Sequence, residues 1–172
     1  MADVLTHVLV GYIIGVLLSF KYRWITPPMV TVVMIGALSP DFVKINLVLS
    51  DAFVEALLGV PFSWSPLHRL GGNALVILAG SMLVAPEYRR RVLALLAIGA
   101  LSHHLLDVLL LTQSGYTYAV FWPLTAYHPP APNLYLSSDR WPAIVAGAGA
   151  VLVWFLRYST IGGSTQDRPV RR

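Results

Sequence analysis

At 172 residues, 56% of them hydrophobic and 12% charged, with a mean hydropathy of +0.68, the chain carries about half the charge of a soluble domain. That composition excludes a water-soluble globule and makes a lipid bilayer the natural solvent. Cysteine is absent, which excludes disulfides and thiolate metal sites, and the net charge of +4 comes from scattered segment-end residues rather than a module for nucleic acid.

Five apolar stretches predict an all-α, polytopic membrane helix bundle of five transmembrane spans. Residues 1–158 form one domain, and 159–172 are expected to be a flexible cytoplasmic tail. Span 1, Val4–Phe20, carries His7 and a Gly11/Gly15 pair at the four-residue spacing that lets helices approach closely. It does not read as a cleaved signal peptide. Met1-Ala2-Asp3 lacks a basic region, and Lys21-Tyr22-Arg23 follows where small residues would be cleaved. Span 2 runs from Pro28 to Leu38 and continues towards Leu49, with a kink or cap expected at Pro40-Asp41. Asp51–Pro66 (DAFVEALLGVPFSWSP) is mildly amphipathic, holds Phe62 and Trp64, and is expected to lie along the interface. Span 3, Gly72–Val84, is short against the ~20 residues a crossing needs. Beginning it near Leu67 would place His68 and Arg69 in its first turn.

Span 4, Val92–Leu111, contains the stretch ALSHHLLDVLL at 100–110. Thr112–Trp141 is rich in prolines and in tyrosine and tryptophan (Tyr116, Tyr118, Trp122, Tyr127, Tyr135, Trp141). These side chains favour the headgroup layer, so the segment is expected to lie as a lid over the polar cluster. Span 5, Pro142–Tyr158, has a small-residue face at Ala143, Ala146, Gly147 and Ala150.

The basic residues orient this arrangement. Lys21, Arg23, Arg89, Arg90, Arg91, Arg157, Arg168, Arg171 and Arg172 fall on one side of five crossings, against Lys44, Arg69 and Arg140 on the other. The positive-inside rule makes the richer side cytoplasmic and the N-terminus external. All five histidines then lie in the outer half of the protein, as do Asp41 and Asp107.

Burying ionisable groups among leucines costs several kcal/mol unless they are paired or bound to a metal. His103 and Asp107 stand four apart and share a helix face, and His104 and Asp107, three apart, can also meet. His7, Asp41 and His68 arrive at the same depth from other helices. Bundle proteins build metal sites from such inward carboxylates and imidazoles. This donor set suits a divalent ion: zinc, with manganese or iron as alternatives. A buried hydrogen-bonded pair acting only as interhelical glue is the plainer alternative. Arg69 is either a phosphate-binding side chain or an interfacial arginine. Lys44 reads as snorkelling to water, His128 as an ordinary loop histidine, and Asp3 as a possible cap of span 1. There is no glycine-rich phosphate loop, GxSxG or HExxH.

Thr6-His7, Pro40-Asp41, His68-Arg69, Ser102-His103-x-x-x-Asp107 and Trp122-Pro123 follow one another in order. Over about residues 3–125 this set resembles the YdjM-like family of predicted inner-membrane metal-dependent hydrolases. The resemblance implies a multi-pass inner-membrane protein with a metal-dependent hydrolase activity, and selects His103 over His104 as the partner of Asp107. Two positions depart from the family pattern. Val43 replaces the second acid of Pro-Asp-x-Asp, and Asn73 follows Leu70-Gly71-Gly72 where a second histidine is common. These losses weigh against a two-metal centre. They leave one metal held by a subset of His7, Asp41, His68, His103 and Asp107, or a site that has decayed.

The resulting expectation is a hydrolase at the outer leaflet, acting on a phosphoester or ester of a lipid or lipid-linked molecule. Asp41 or Asp107 would take a proton from water and Arg69 would stabilise negative charge. The competing readings are an ion or proton transporter, a structural or assembly subunit, and a metal-binding protein without catalysis.

Overall fold

The structure, a computed structural model, describes the backbone of residues 3–163 and the side chains of residues 3–159. Six α-helices account for most of it, and among the described residues there is no strand, only isolated bridges. The first helix, α1 (Val4–Lys21), follows Asp3, whose side chain makes no capping hydrogen bond. The second, α2 (Pro27–Leu38), opens with two prolines in its first turn, where a missing N–H costs nothing. Pro40 has no N–H to give, and the chain tightens into a 3-10 helix over Ser39–Leu47. The extension towards Leu49 therefore forms, but with about three residues per turn.

The third helix, α3 (Asp51–Leu58), is capped by Ser50, whose Oγ accepts from Phe53 N at 3.2 Å, and stops at Gly59 with φ of 68°. None of its residues is buried, and Phe53, Leu57 and Leu58 are exposed. The Asp51 carboxylate ties the following segment back by accepting from Trp64 N and Ser63 Oγ, at 3.0 and 3.1 Å. A short helix that turns apolar side chains outward suits the interfacial position its sequence suggests.

A second 3-10 turn, Ser65–His68, precedes α4 (Leu70–Met82). The third span expected at Gly72–Val84 forms within two residues of those bounds, whereas the earlier start near Leu67 does not. His68 ends the 3-10 turn and Arg69 is extended (φ −101°, ψ 156°), so neither lies in the first turn of α4. The chain breaks there because Gly72 backs directly onto the Pro66 carbonyl, a contact no side chain could share. At 13 residues α4 is about 20 Å long, short of the ~30 Å hydrocarbon core. Among the described residues, four helical stretches have crossing length and composition: α1, Pro27–Leu47, α5 (Pro86–Val108) and Trp141–Ser159 within α6 (Trp141–Gly163). Among the described residues the bundle is thus four full-length spans plus the shorter apolar helix whose sequence already marks it as short. Since α6 stays helical to Gly163, it passes the point where a tail was expected; the rest of that tail lies outside the described residues.

α5 packs against α1, α2 and α4, whereas α6 lies chiefly on α1. Glycines set how closely the helices meet. A Cβ on Gly36 would collide with the Leu96 carbonyl, and one on Gly99 with the Val33 carbonyl, so α2 and α5 touch backbone to backbone. Gly11 and Gly15 give α1 a similar, looser approach to Ala37 and Val30 of α2. Val16, Val30, Val33 and Leu95 fill the centre. The outside is apolar as well: on α5, Leu101 and Leu105 are exposed while Ser102, His103, His104 and Asp107 are buried. That inversion is what a bilayer requires and water forbids.

Candidate metal centre

His103 lies one turn beyond Gly99, and Ala37 is next to Gly36, so the close α2–α5 contact brings the His103 ring to the α2 backbone. Its Nδ1 donates to the Ala37 carbonyl at 2.8 Å. His68 does the same from the 3-10 turn, donating Nδ1–H to the Pro40 carbonyl at 3.2 Å. A carbonyl only accepts, so both rings carry a proton on Nδ1, and in its neutral form each ring presents an Nε2 lone pair. Those lone pairs face one carboxylate: Asp107 Oδ2 lies 2.9 Å from His68 Nε2 and 3.5 Å from His103 Nε2. His7 brings Nε2 to within 3.4 Å of Asp107 Oδ1.

Acceptors facing acceptors repel unless something positive lies among them. Protonating every ring is a poor answer, because His7 stacks on His103 with centroids 3.7 Å apart and planes 16° from parallel. Two cationic rings in that arrangement would set like charges face to face in a buried site. A metal ion satisfies the same atoms without that repulsion. Imidazoles oriented by Nδ1–H to a carbonyl and converging through Nε2 on a carboxylate form the usual outer-shell pattern of a metal site.

Two triads have ligand atoms within 4.8 Å of one another, His7–His103–Asp107 and Asp41–His68–His103. Together they contain His7, Asp41, His68, His103 and Asp107, the full ligand set expected from sequence, with His103 common to both. A single Nε2 serves one ion at a time, so the shared ring favours one metal over two. Val43 is only half-buried, and Asn73, buried nearby, donates Nδ2–H to Ser39 Oγ at 2.8 Å, tying α4 to the 3-10 segment. His7 Nδ1, His7 Nε2, His68 Nε2, His103 Nε2 and Asp41 Oδ1 are buried without a hydrogen-bond partner among the described residues. Leaving so many polar atoms unpaired in one pocket is costly, and a bound cation would satisfy most of them.

Two other residues singled out in the sequence take specific partners. Lys44 does not reach for water alone: its Nζ pairs with Asp41 Oδ2 at 2.9 Å. In a 3-10 helix, residues three apart eclipse, which puts Lys44 directly over Asp41. Arg69 sets its guanidinium over the Trp122 ring, 5.5 Å from the centroid, and so meets the outer loop rather than the carboxylates.

That loop folds closely onto the helix ends. The Val120 and Trp122 carbonyls accept from Leu70 N and Gly71 N, both at 2.9 Å, closing the start of α4. Tyr135 Oη donates to the Leu106 carbonyl at 2.7 Å, and His128 Nδ1 donates to the Thr117 carbonyl at 2.7 Å. A cavity of about 310 Å³ opens beside the cluster, lined by His68, Asp107, Leu110, Thr112, Thr117 and Tyr118. Burial, and then the Asp107 charge, push the Tyr118 phenol well above the ordinary tyrosine range and Tyr135 up to about 12. Both therefore stay protonated at neutral pH.

The sequence matches the family model of the YdjM inner membrane protein over residues 1–166, farther than the 3–125 covered by its motifs. The chain belongs to the YdjM inner membrane protein family. It is a membrane protein, and its apolar helices agree with that membership. No curated protein and no solved structure matches the chain.

Proposed function

We propose that the chain is a metal-dependent hydrolase holding one divalent cation, zinc before manganese or iron, and acting on a phosphoester or ester of a lipid or lipid-linked substrate. The observation that carries this reading is the convergence of Nε2 of His68 and His103 on Asp107, each ring fixed through Nδ1 on a backbone carbonyl, beside a cavity large enough for a headgroup. His7, His68, His103 and Asp107 would hold the ion, and Asp41 stands beside His68 and His103 without being needed as a ligand. When bound, the cation supplies Lewis acidity and lowers the pKa of water at the site.

The remaining roles belong to the chain. Asp41 keeps Oδ2 on Lys44 and leaves Oδ1 unpartnered, so it is the carboxylate placed to take a proton from water. Asp107, surrounded by three imidazoles, serves as ligand. Leu110 and the threonine side chains of the cavity would pack the substrate. Arg69, stacked on Trp122, would meet a phosphate only at the rim. Counted with α4 as a fifth, shorter crossing, the distribution of lysine and arginine would put this cavity at the outer leaflet, with the N-terminus outside and the C-terminus cytoplasmic.

A proton relay or a polar lock would use the same residues without a metal, but the stacked His7 and His103 rings disfavour a relay that charges both. The test is hydrolysis of short-chain phosphatidic acid by detergent-purified protein, with and without a chelator. Release of phosphate or fatty acid that the chelator abolishes and zinc restores is the expected result. Folded, zinc-loaded protein inert towards phosphate esters and carboxylic esters alike would sink the proposal.

A further inference from the structure

His104 neighbours a proposed ligand, yet the structure turns it away from the cluster. It is almost fully buried on α5, and its Nδ1 lies 2.8 Å from the Tyr118 hydroxyl. Its Nε2 is buried without a hydrogen-bond partner among the described residues. Tyr118 lines the cavity together with His68 and Asp107, and its ring centroid lies 4.8 Å from that of His68. The phenol thus joins a residue that no metal would need to a cavity that a substrate would enter.

The tautomer of His104 decides what that phenol can do. If Tyr118 donated to Nδ1, His104 would carry its proton on Nε2 as a buried N–H without an acceptor. If His104 instead donates Nδ1–H to the phenol oxygen, the unpaired atom is a bare acceptor, and buried orphan acceptors are tolerated better than orphan donors. In that tautomer the phenol oxygen is fixed by His104, and the Tyr118 O–H is left over to donate into the cavity.

We propose that Tyr118 is a substrate-binding residue whose O–H donates a hydrogen bond to an anionic oxygen of the substrate in the cavity beside Asp107, with His104 as the positioning residue that holds it there. This rests on the metal-site reading above and deepens it: the site would take a tetrahedral oxyanion, such as a phosphate group, between the cation and a neutral hydroxyl. The arrangement explains why two adjacent histidines occupy one apolar helix. One faces the metal ligands and the other faces the loop residue that meets the substrate.

The experiment is a titration of cobalt-substituted protein in detergent with inorganic phosphate, followed by the visible absorption bands of the cobalt. Wild type, Tyr118→Phe, His104→Ala and His104→Asn are compared. Asn keeps an N–H donor near the place of Nδ1, and Phe keeps the ring packing, so neither relies on a disrupted fold. The expected result is equal cobalt uptake in all four. Phosphate affinity falls about tenfold or more in Tyr118→Phe and His104→Ala, and stays within about threefold of wild type in His104→Asn. A Tyr118→Phe/His104→Ala double variant loses no more than either single one, because the two act as a unit. Unchanged phosphate affinity in Tyr118→Phe, or no phosphate response in cobalt-loaded wild type, overturns the role of Tyr118 and leaves the cation site standing. Loss of cobalt in His104→Ala would make His104 a ligand and also overturn it. No cobalt uptake by wild type overturns this inference and the metal site together.

Discussion

α5 and α6 are both 23 residues long and apolar enough to cross a membrane, yet they do opposite work in this protein. Half of the spanning window of α5 is buried, against 22% for α6. α5 is gripped through Gly99 by α2 and carries His103, His104 and Asp107 into the interior. α6 rests on α1 through Ala146 and Ala150 and gives most of its surface, including Val151, Leu152 and Phe155, to lipid. Hydropathy is blind to this difference, because both helices satisfy the bilayer equally. The few polar residues and the placement of glycine reveal it: an apolar helix that spends its polar side chains inward is a helix others pack around.

The sharpest way to break this contrast is to place one bulky residue at a glycine of each helix. Gly99→Leu should prevent close α2–α5 packing, costing at least the ~1–3 kcal/mol typical of overpacking, because the new Cβ meets the Val33 carbonyl. Gly147→Leu on α6 should be tolerated, since the nearest atom to its Cβ is a Leu9 methyl at 4.0 Å. Unfolding in mixed detergent micelles measures both, and equal losses would erase the distinction. A smaller effect is expected at the edge of the polar centre. Lys44, about one-third exposed, places a positive charge on Asp41. Lys44→Met should therefore tighten zinc by no more than about fivefold, in keeping with the modest worth of an exposed pair; competition with a chromophoric chelator would read it. Weaker zinc binding in that variant would mean that Lys44 helps to build the site. The smallest effect sharpens the comparison by removing it. Leu105→Ala on α5 and Val151→Ala on α6 both alter lipid-facing positions and should each change stability by less than about 0.5 kcal/mol. A large cost for Leu105→Ala alone would show that every face of α5 matters.

Much of the candidate site was legible in the sequence because membranes make polar residues conspicuous. His7, Asp41, His68, His103 and Asp107 each interrupt or flank an apolar run, and the cost of burying them demanded a common answer. What stayed hidden was geometry that spacing does not encode. By helical periodicity His103 and His104 were equally able to reach Asp107; the family resemblance pointed to His103, and the Ala37 carbonyl and the Tyr118 hydroxyl part the two rings in space. Lys44 read as snorkelling to water, whereas Pro40 tightens that segment to the period that stacks it on Asp41. Gly11 and Gly15 announce a helix contact within a single segment. Gly36 and Gly99 make the tighter one, but they belong to helices sixty residues apart and form no local motif. The third helix was found within two residues of its bounds, but the separate 3-10 turn before it was not, because the approach of Gly72 to Pro66 is a backbone contact of which hydropathy carries no record.

The central claim is that a cation belongs among these residues, and metal content tests it most directly. Protein purified in detergent without a histidine tag, offered zinc and then dialysed, should retain near-stoichiometric metal by elemental mass spectrometry. His7→Ala and Asp107→Asn should lose it while remaining folded, as their helical circular dichroism would show. Gly147→Leu, which leaves the α5 site intact, should keep it. Folded wild-type protein that holds neither zinc nor manganese would contradict the account and reduce the cluster to a polar lock between helices.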